Sequence, residues 1–132
     1  MKLRIAFIAL ALFSSQASAE WELVTYDDEA ITFLDPTTIR KQDNYTLAWT
    51  MTDYHDVKID SNGKKFNSVK FLFVFKCQEM QIGMKSYVTY SDGLGKGDIV
   101  ANANGQIYEV DFKDVVPAST GEATLKAVCK RH

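Results

Sequence analysis

Hydrophobic and polar residues alternate along much of this chain, and the rhythm changes near its end. In "YTLAWTMT", Tyr45, Leu47, Trp49 and Met51 occupy one parity, while Thr46, Ala48, Thr50 and Thr52 occupy the other. A period of two predicts a half-buried strand, because successive side chains point to opposite faces of a sheet. "FNSVKFLFVFKC" is the strongest such stretch. Val69, Phe71, Phe73, Phe75 and Cys77 share one face, and Leu72 and Val74 lie on the other, interleaved with Lys70 and Lys76. Upstream, "WELVTY" (21–26) and "AITFLD" (30–35) predict a hairpin around the acidic turn 27–29. Asp35 then caps a single helical turn with Pro36 at its first position, where no N–H is required. "SNGK" (61–64) supplies the Asn-Gly pair that suits the positive φ angles of a tight hairpin. Downstream, "MQIGMKSYVTY" predicts a strand with Met80, Ile82, Met84, Val88 and Tyr90 in register. A flexible glycine-rich loop over 91–98 and a short last strand in "QIYEVDF" (106–112) complete this part.

The last residues change period. "STGE" (119–122) fits a capping box, a hydroxyl residue followed three positions later by Glu. Leu125, Val128 and Cys129 then fall at i, i+3 and i+4, on one face of a helix. Strands followed by a helix predict one α+β domain, a sheet of five to six strands with a C-terminal helix. A helix of about three turns does not cover both faces of such a sheet. The pattern therefore predicts a strongly curled sheet, or a second copy of the chain covering the remainder as a homodimer.

The N-terminus bears on compartment. Lys2 and Arg4 precede the apolar run "IAFIALALF", and "SSQASA" ends in small residues at 17 and 19. Residues 1–19 read as a secretory signal peptide cleaved after Ala19, leaving a domain over 20–132. The run has nine apolar residues, short of the ~20 that span a bilayer. Position 20 is Glu, not the cysteine of a lipoprotein, so no membrane anchor is expected. Export to the periplasm, the medium or the cell surface is expected. Cys77 and Cys129 both lie in the exported part, and an even pair in an oxidising compartment predicts a disulfide. It would close a loop of some fifty residues, for which chain entropy gives roughly 4 kcal/mol. Because Cys77 shares the phenylalanine face, the bridge would tether the helix to that face. Of the 15 basic residues, Lys2 and Arg4 leave with the signal, so 13 face 17 acidic ones, a formal charge of −4. That balance argues against nucleic acid, whose partners concentrate positive charge.

Little in the chain points to catalysis. Asp53, His55 and Asp56 in "DYHD" suggest an acid–base or metal set, but neighbours on a strand point to opposite faces, and the solvated end of a strand is the reading favoured. "GLGKG" (93–97) lacks the Lys-Ser/Thr ending and the following helix of a phosphate loop. No catalytic residue, cofactor or metal is expected. Lys64 and Lys65 form an exposed basic pair beside the hairpin tip.

Taken in order, these motifs resemble the surface-adhesin protein E-like domain family of bacterial exported proteins. The resemblance is carried by Trp21, by Asp35-Pro36-Thr37-Thr38-Ile39 after the first hairpin, and by Trp49. It continues through "SVKFLFVFKC" ending at Cys77, "YSDGLGKGD", and "VVPASTGEATLKAVC" ending at Cys129. It implies an antiparallel sheet with a C-terminal helix tethered through Cys77 and Cys129. It also implies a non-enzymatic protein whose partners are proteins, host extracellular-matrix or serum proteins among them. The expected contact surfaces are the hairpin at Lys64 and Lys65 and the glycine-rich loop with Asp92, Gly93, Gly95 and Lys96, because loops on a rigid sheet are the usual place for recognition. The alternative is a periplasmic inhibitor or regulator of an envelope enzyme, with the acidic turn 27–29 entering a basic cleft.

Overall fold

The computed structural model describes residues 20–130; the expected signal segment 1–19 and His132 lie outside the described residues. Strands β1 (Glu22–Tyr26) and β2 (Ala30–Leu34) form the expected hairpin. A 3-10 turn (Pro36–Thr38) and the short β3 (Arg40–Gln42) lead into β4 (Tyr45–Ile59). Next come β5 (Lys65–Lys76), β6 (Gln81–Tyr90), β7 (Ile99–Asn104) and the two-residue β8 (Lys113–Asp114), and the helix α1 (Thr120–Cys129) closes the fold. All pairings are antiparallel. Six strands run in the order β1-β2-β4-β5-β6-β7, with β3 added to β4 and β8 to β6. The architecture is the α+β one expected from the pattern.

Local signals in the sequence act as their chemistry requires. Asp35 Oδ1 accepts from the Thr37 backbone N–H at 3.0 Å, and Pro36 opens the turn. Ser119 Oγ accepts from the Glu122 N–H at 3.2 Å, while the Glu122 carboxylate accepts from the Ala118 N–H at 3.4 Å. These bonds satisfy donors that a helix start leaves unpaired.

The helix packs on the phenylalanine face. Leu125 and Val128 are buried with Leu34, Ala48 and Phe75, and Phe73, Cys77 and Ile82 pack around them. Cys77 and Cys129 are bonded, with their Cα atoms 5.6 Å apart, inside the range that a disulfide spans without moving the backbone. The bridge thus joins the end of β5 to the last residue of α1.

The opposite face corrects the sequence reading twice. Residues 106–112 are not a strand. They form a 3-10 turn (Ile107–Glu109) and an extended run, and Ile107, Val110 and Phe112 cover Leu47, Leu72 and Val74. This segment is the second cover, taking over part of the surface that the pattern left to another molecule. It comes close enough that a Cβ at Gly83 would collide with Val110 Cγ1 and lie 2.9 Å from the Asp111 carbonyl oxygen, so the position requires glycine. The last strand of the six is instead β7, whose "IVANAN" alternates only small Ala with polar Asn and has no large apolar residue in that alternation.

The second correction concerns β6. Phe73 pairs with Met84 but Leu72 pairs with Ser86, so Lys85 is an extra residue, a β-bulge. Side chains alternate with period two, so one inserted residue exchanges the faces beyond it. Ile82 and Met84 lie on the helix side, whereas Val88 and Tyr90, expected with them, lie on the other side opposite Lys70 and Ser68.

The bridge generates a stability prediction. Replacing both Cys77 and Cys129 by Ala lowers stability by about 2–4 kcal/mol, read from urea unfolding midpoints. A loss below about 0.5 kcal/mol would mean that packing alone holds the helix.

Candidate functional site

Three connections gather at one end of the sheet: the turn 27–29, the hairpin 60–64 and the loop 91–98. The register brings them together, with Ala30 opposite Tyr54, Ile59 opposite Lys65 and Ser68 opposite Tyr90. Each is tied down. Asp27 Oδ1 accepts from the Glu29 and Ala30 N–H groups at 2.8 and 2.9 Å, and these donors hold its carboxyl below the usual range. The Lys58 ammonium donates to Glu29 Oε1 at 2.8 Å, which raises the lysine pKa. Burial raises that of the neighbouring Tyr54 phenol, whose ring lies 5.1 Å from the Lys58 ammonium. Asp60 Oδ1 accepts from the backbone N–H groups of Asn62 and Lys64, shaping the hairpin tip, and Lys64 and Lys65 are both exposed there.

The glycine-rich loop is folded onto the sheet instead of standing free. Leu94 N–H donates to Asp53 Oδ1 at 2.8 Å, and Gly95 N–H donates to Ser68 Oγ at 2.9 Å. Ser68 Oγ in turn donates to the Asp92 carbonyl at 2.6 Å. Gly95 has φ +67, and a Cβ there would lie 2.7 Å from Lys70 Cε. Of the predicted contact residues, Gly95 is thus brought against the sheet face, while Asp92 and Lys96 remain exposed and Gly93 is half-buried. Lys64 and Lys65 share this end of the molecule. Asp53 and His55 are not merely solvated: Asp53 anchors this loop, and His55 Nε2 lies 3.0 Å from the Asp27 carbonyl oxygen. Among the described residues no cluster of three or more potential metal ligands occurs.

A second feature lies beside the loop. On the face away from the helix, the loop covers one part and residues 105–112 cover another. Between them the sheet is bare and forms two adjoining depressions of about 300 and 280 Å³ that share Trp49 and Val88. Trp21, Tyr90 and Asp35 wall the first. Ser86, Asn102 and Asn104 line the second. The Lys70 ammonium lies 5.7 Å from the centre of the Trp21 ring and 5.1 Å from that of Tyr90. Sequence reasoning missed this trough. Trp49 and Lys70 lie on separate predicted strands, and neither the register that puts them on one face nor the Lys85 bulge that turns Val88 and Tyr90 toward them leaves a mark in the pattern.

This six-stranded sheet with its bridged C-terminal helix is the arrangement of a known family, and the family model for surface-adhesin protein E matches residues 21–130. The chain belongs to the surface-adhesin protein E family. Solved structures of Haemophilus influenzae protein E share its fold. One superposes with a TM-score of 0.56 at 12% identity, covering 82% of this chain and 89% of that one. Another, from non-typeable Haemophilus influenzae, gives a TM-score of 0.59 at 11% identity, covering 88% and 79% respectively. At such identities the likeness is one of fold. No curated protein matches the chain. Within this adhesin family member, the loop anchor is open to test. Asp53→Ala removes a charged acceptor worth about 1–2 kcal/mol, so hydrogen exchange at the Leu94 amide should quicken five- to thirty-fold. An unchanged rate would mean that Ser68 holds the loop without it.

Proposed function

We infer that this adhesin family member is a non-enzymatic exported binding module that recognises a protein partner, a host extracellular-matrix or serum protein in the first instance. The observation that supports this most is the family match over nearly all of the exported domain, on a fold that brings three tied loops to one end of a rigid sheet. Residues 1–19 would direct export and be cleaved, and the disulfide suits an oxidising compartment. The contact surface is the hairpin carrying Lys64 and Lys65 together with Asp92, Gly93, Gly95 and Lys96 of the neighbouring loop. The regulator alternative drew on the acidic turn 27–29. There Asp27 is engaged by its own backbone and Glu29 by Lys58, which favours the adhesin reading.

Replacing Lys64 and Lys65 together by Glu should weaken retention on immobilised matrix protein at least tenfold, measured by surface plasmon resonance. Unchanged binding would dismiss the hairpin. A homodimer is also part of the proposal. On the helix side, half-buried Phe71 and Tyr87 and the 45%-exposed Met84 extend past the residues that α1 covers. Light scattering at tens of micromolar should give twice the monomer mass, and a monomer mass would remove the dimer from the scheme.

A further inference from the structure

The trough on the face away from the helix has a chemistry of its own. Lys70 is half-buried, and its ammonium sits between two aromatic rings. Among the described residues the two ion pairs are those of Lys58 and Lys126; Lys70 is in neither, and Asp35, which walls the same depression, accepts at Oδ1 from the Thr37 N–H and hydroxyl. Its charge is therefore partly withdrawn from water, with two ring faces against it and no ion-pair partner, a setting in which an incoming anion gains more than it would at an open surface.

The other end of the trough offers neutral donors. Asn104 Oδ1 accepts from both Lys85 Nζ at 3.0 Å and Ser86 Oγ at 2.5 Å. That fixes the orientation of the amide and leaves its N–H₂ group for a ligand. Asn102, exposed and lining the same depression, adds a second amide. Between the ammonium and these amides lie the ring of Trp49 and the side chain of Val88, which line both depressions.

The order of groups across the floor is therefore aromatic ring, cation, aromatic ring and amide donors. We propose that this trough binds an acidic sugar, a pyranose bearing a carboxylate. The carboxylate meets Lys70, the C–H faces of the ring lie on Trp49 and Trp21, and the hydroxyls meet Asn102 and Asn104. An extended peptide suits the place poorly. The backbones of β5 and β6 are paired on both sides here, and in β4 the Trp49 N–H donates to Thr38 Oγ1 while its carbonyl accepts from the Asp35 N–H, so a peptide lying over them finds no ladder to join. A purely apolar guest would leave Lys70 buried deeper without a partner.

The proposal is independent of protein recognition by the loops, and its test separates the two. The exported domain is titrated with glucuronic acid, glucose and benzoate, followed by tryptophan fluorescence and by the amide resonances of Val88 and Asn102. Glucuronic acid should bind at least tenfold more tightly than glucose or benzoate. Lys70→Met should remove that preference, Lys70→Arg should restore most of it, and the exposed Asn102→Ala should weaken glucuronic acid at least threefold with the fold unchanged. The Lys64/Lys65 double replacement should leave it untouched. Equal binding of glucose would overturn the role of Lys70, equal binding of benzoate would overturn the sugar, and no response to glucuronic acid would overturn the site. Retention on matrix protein would survive any of these outcomes.

Discussion

Strand β5 is apolar on both faces, and that constraint organises the molecule. Val69, Phe71, Phe73 and Phe75 face one way, and Leu72 and Val74 face the other. Neither set can be left to water without losing about 1.5–3 kcal/mol per large side chain. One face is covered by α1, through Leu125 and Val128. The other is covered in part by Ile107, Val110 and Phe112, carried on a segment with only a 3-10 turn and no long strand of its own. Sequence-distant elements must therefore be brought to the middle of the sheet from two directions, and each is secured differently. The helix is joined covalently through Cys129, whereas residues 105–112 are held by close packing over Gly83 and by the β8 pairing with β6.

The two covers also define where the molecule is open. Loop 91–98, tied by Asp53 and Ser68, closes the second face near one end, and residues 105–112 close it further along. What remains bare is the strip bearing Trp49, Lys70 and Val88. A rigid sheet floor between two anchored walls is a preorganised setting, since little side-chain or loop entropy is left to be lost when a ligand arrives. The loop end of the molecule has the complementary character: exposed, charged and varied in side chains, as protein-recognition surfaces on a scaffold tend to be. The two regions touch at Gly95, which belongs to the loop and lies against the Lys70 side chain.

Most of the fold was legible in the residues. The period-two stretches marked β4 and β5, the Asn-Gly pair marked their hairpin, Asp35-Pro36 marked the 3-10 turn, and Ser119 with Glu122 marked the helix start. These are local signals whose physics acts within a few residues. The failures have a common cause. "QIYEVDF" alternates like a strand, yet its apolar residues were more useful as a lid, because Leu47 and Val74 needed one. "IVANAN" alternates only Ala with Asn, a faint signal, yet it pairs with β6 because that edge was free. The Asp53 and His55 side chains looked solvated because the turns they hold are 41 and 28 residues away in the chain.

By itself the sequence determined the α+β class, the strong strands, the capped C-terminal helix and the pairing of its two cysteines. Each follows from periodicity, from cap chemistry or from a count, and none needs a distant neighbour to be known. Only the tertiary structure decided which face each residue of β6 serves and what covers the back of the sheet. A bulge is an extra residue with no characteristic composition, and its position at Lys85 is set by the fit of β6 to β5 and β7. That single residue moves Val88 and Tyr90 across the sheet to Lys70, and so creates a surface that alternation alone had assigned to the opposite side.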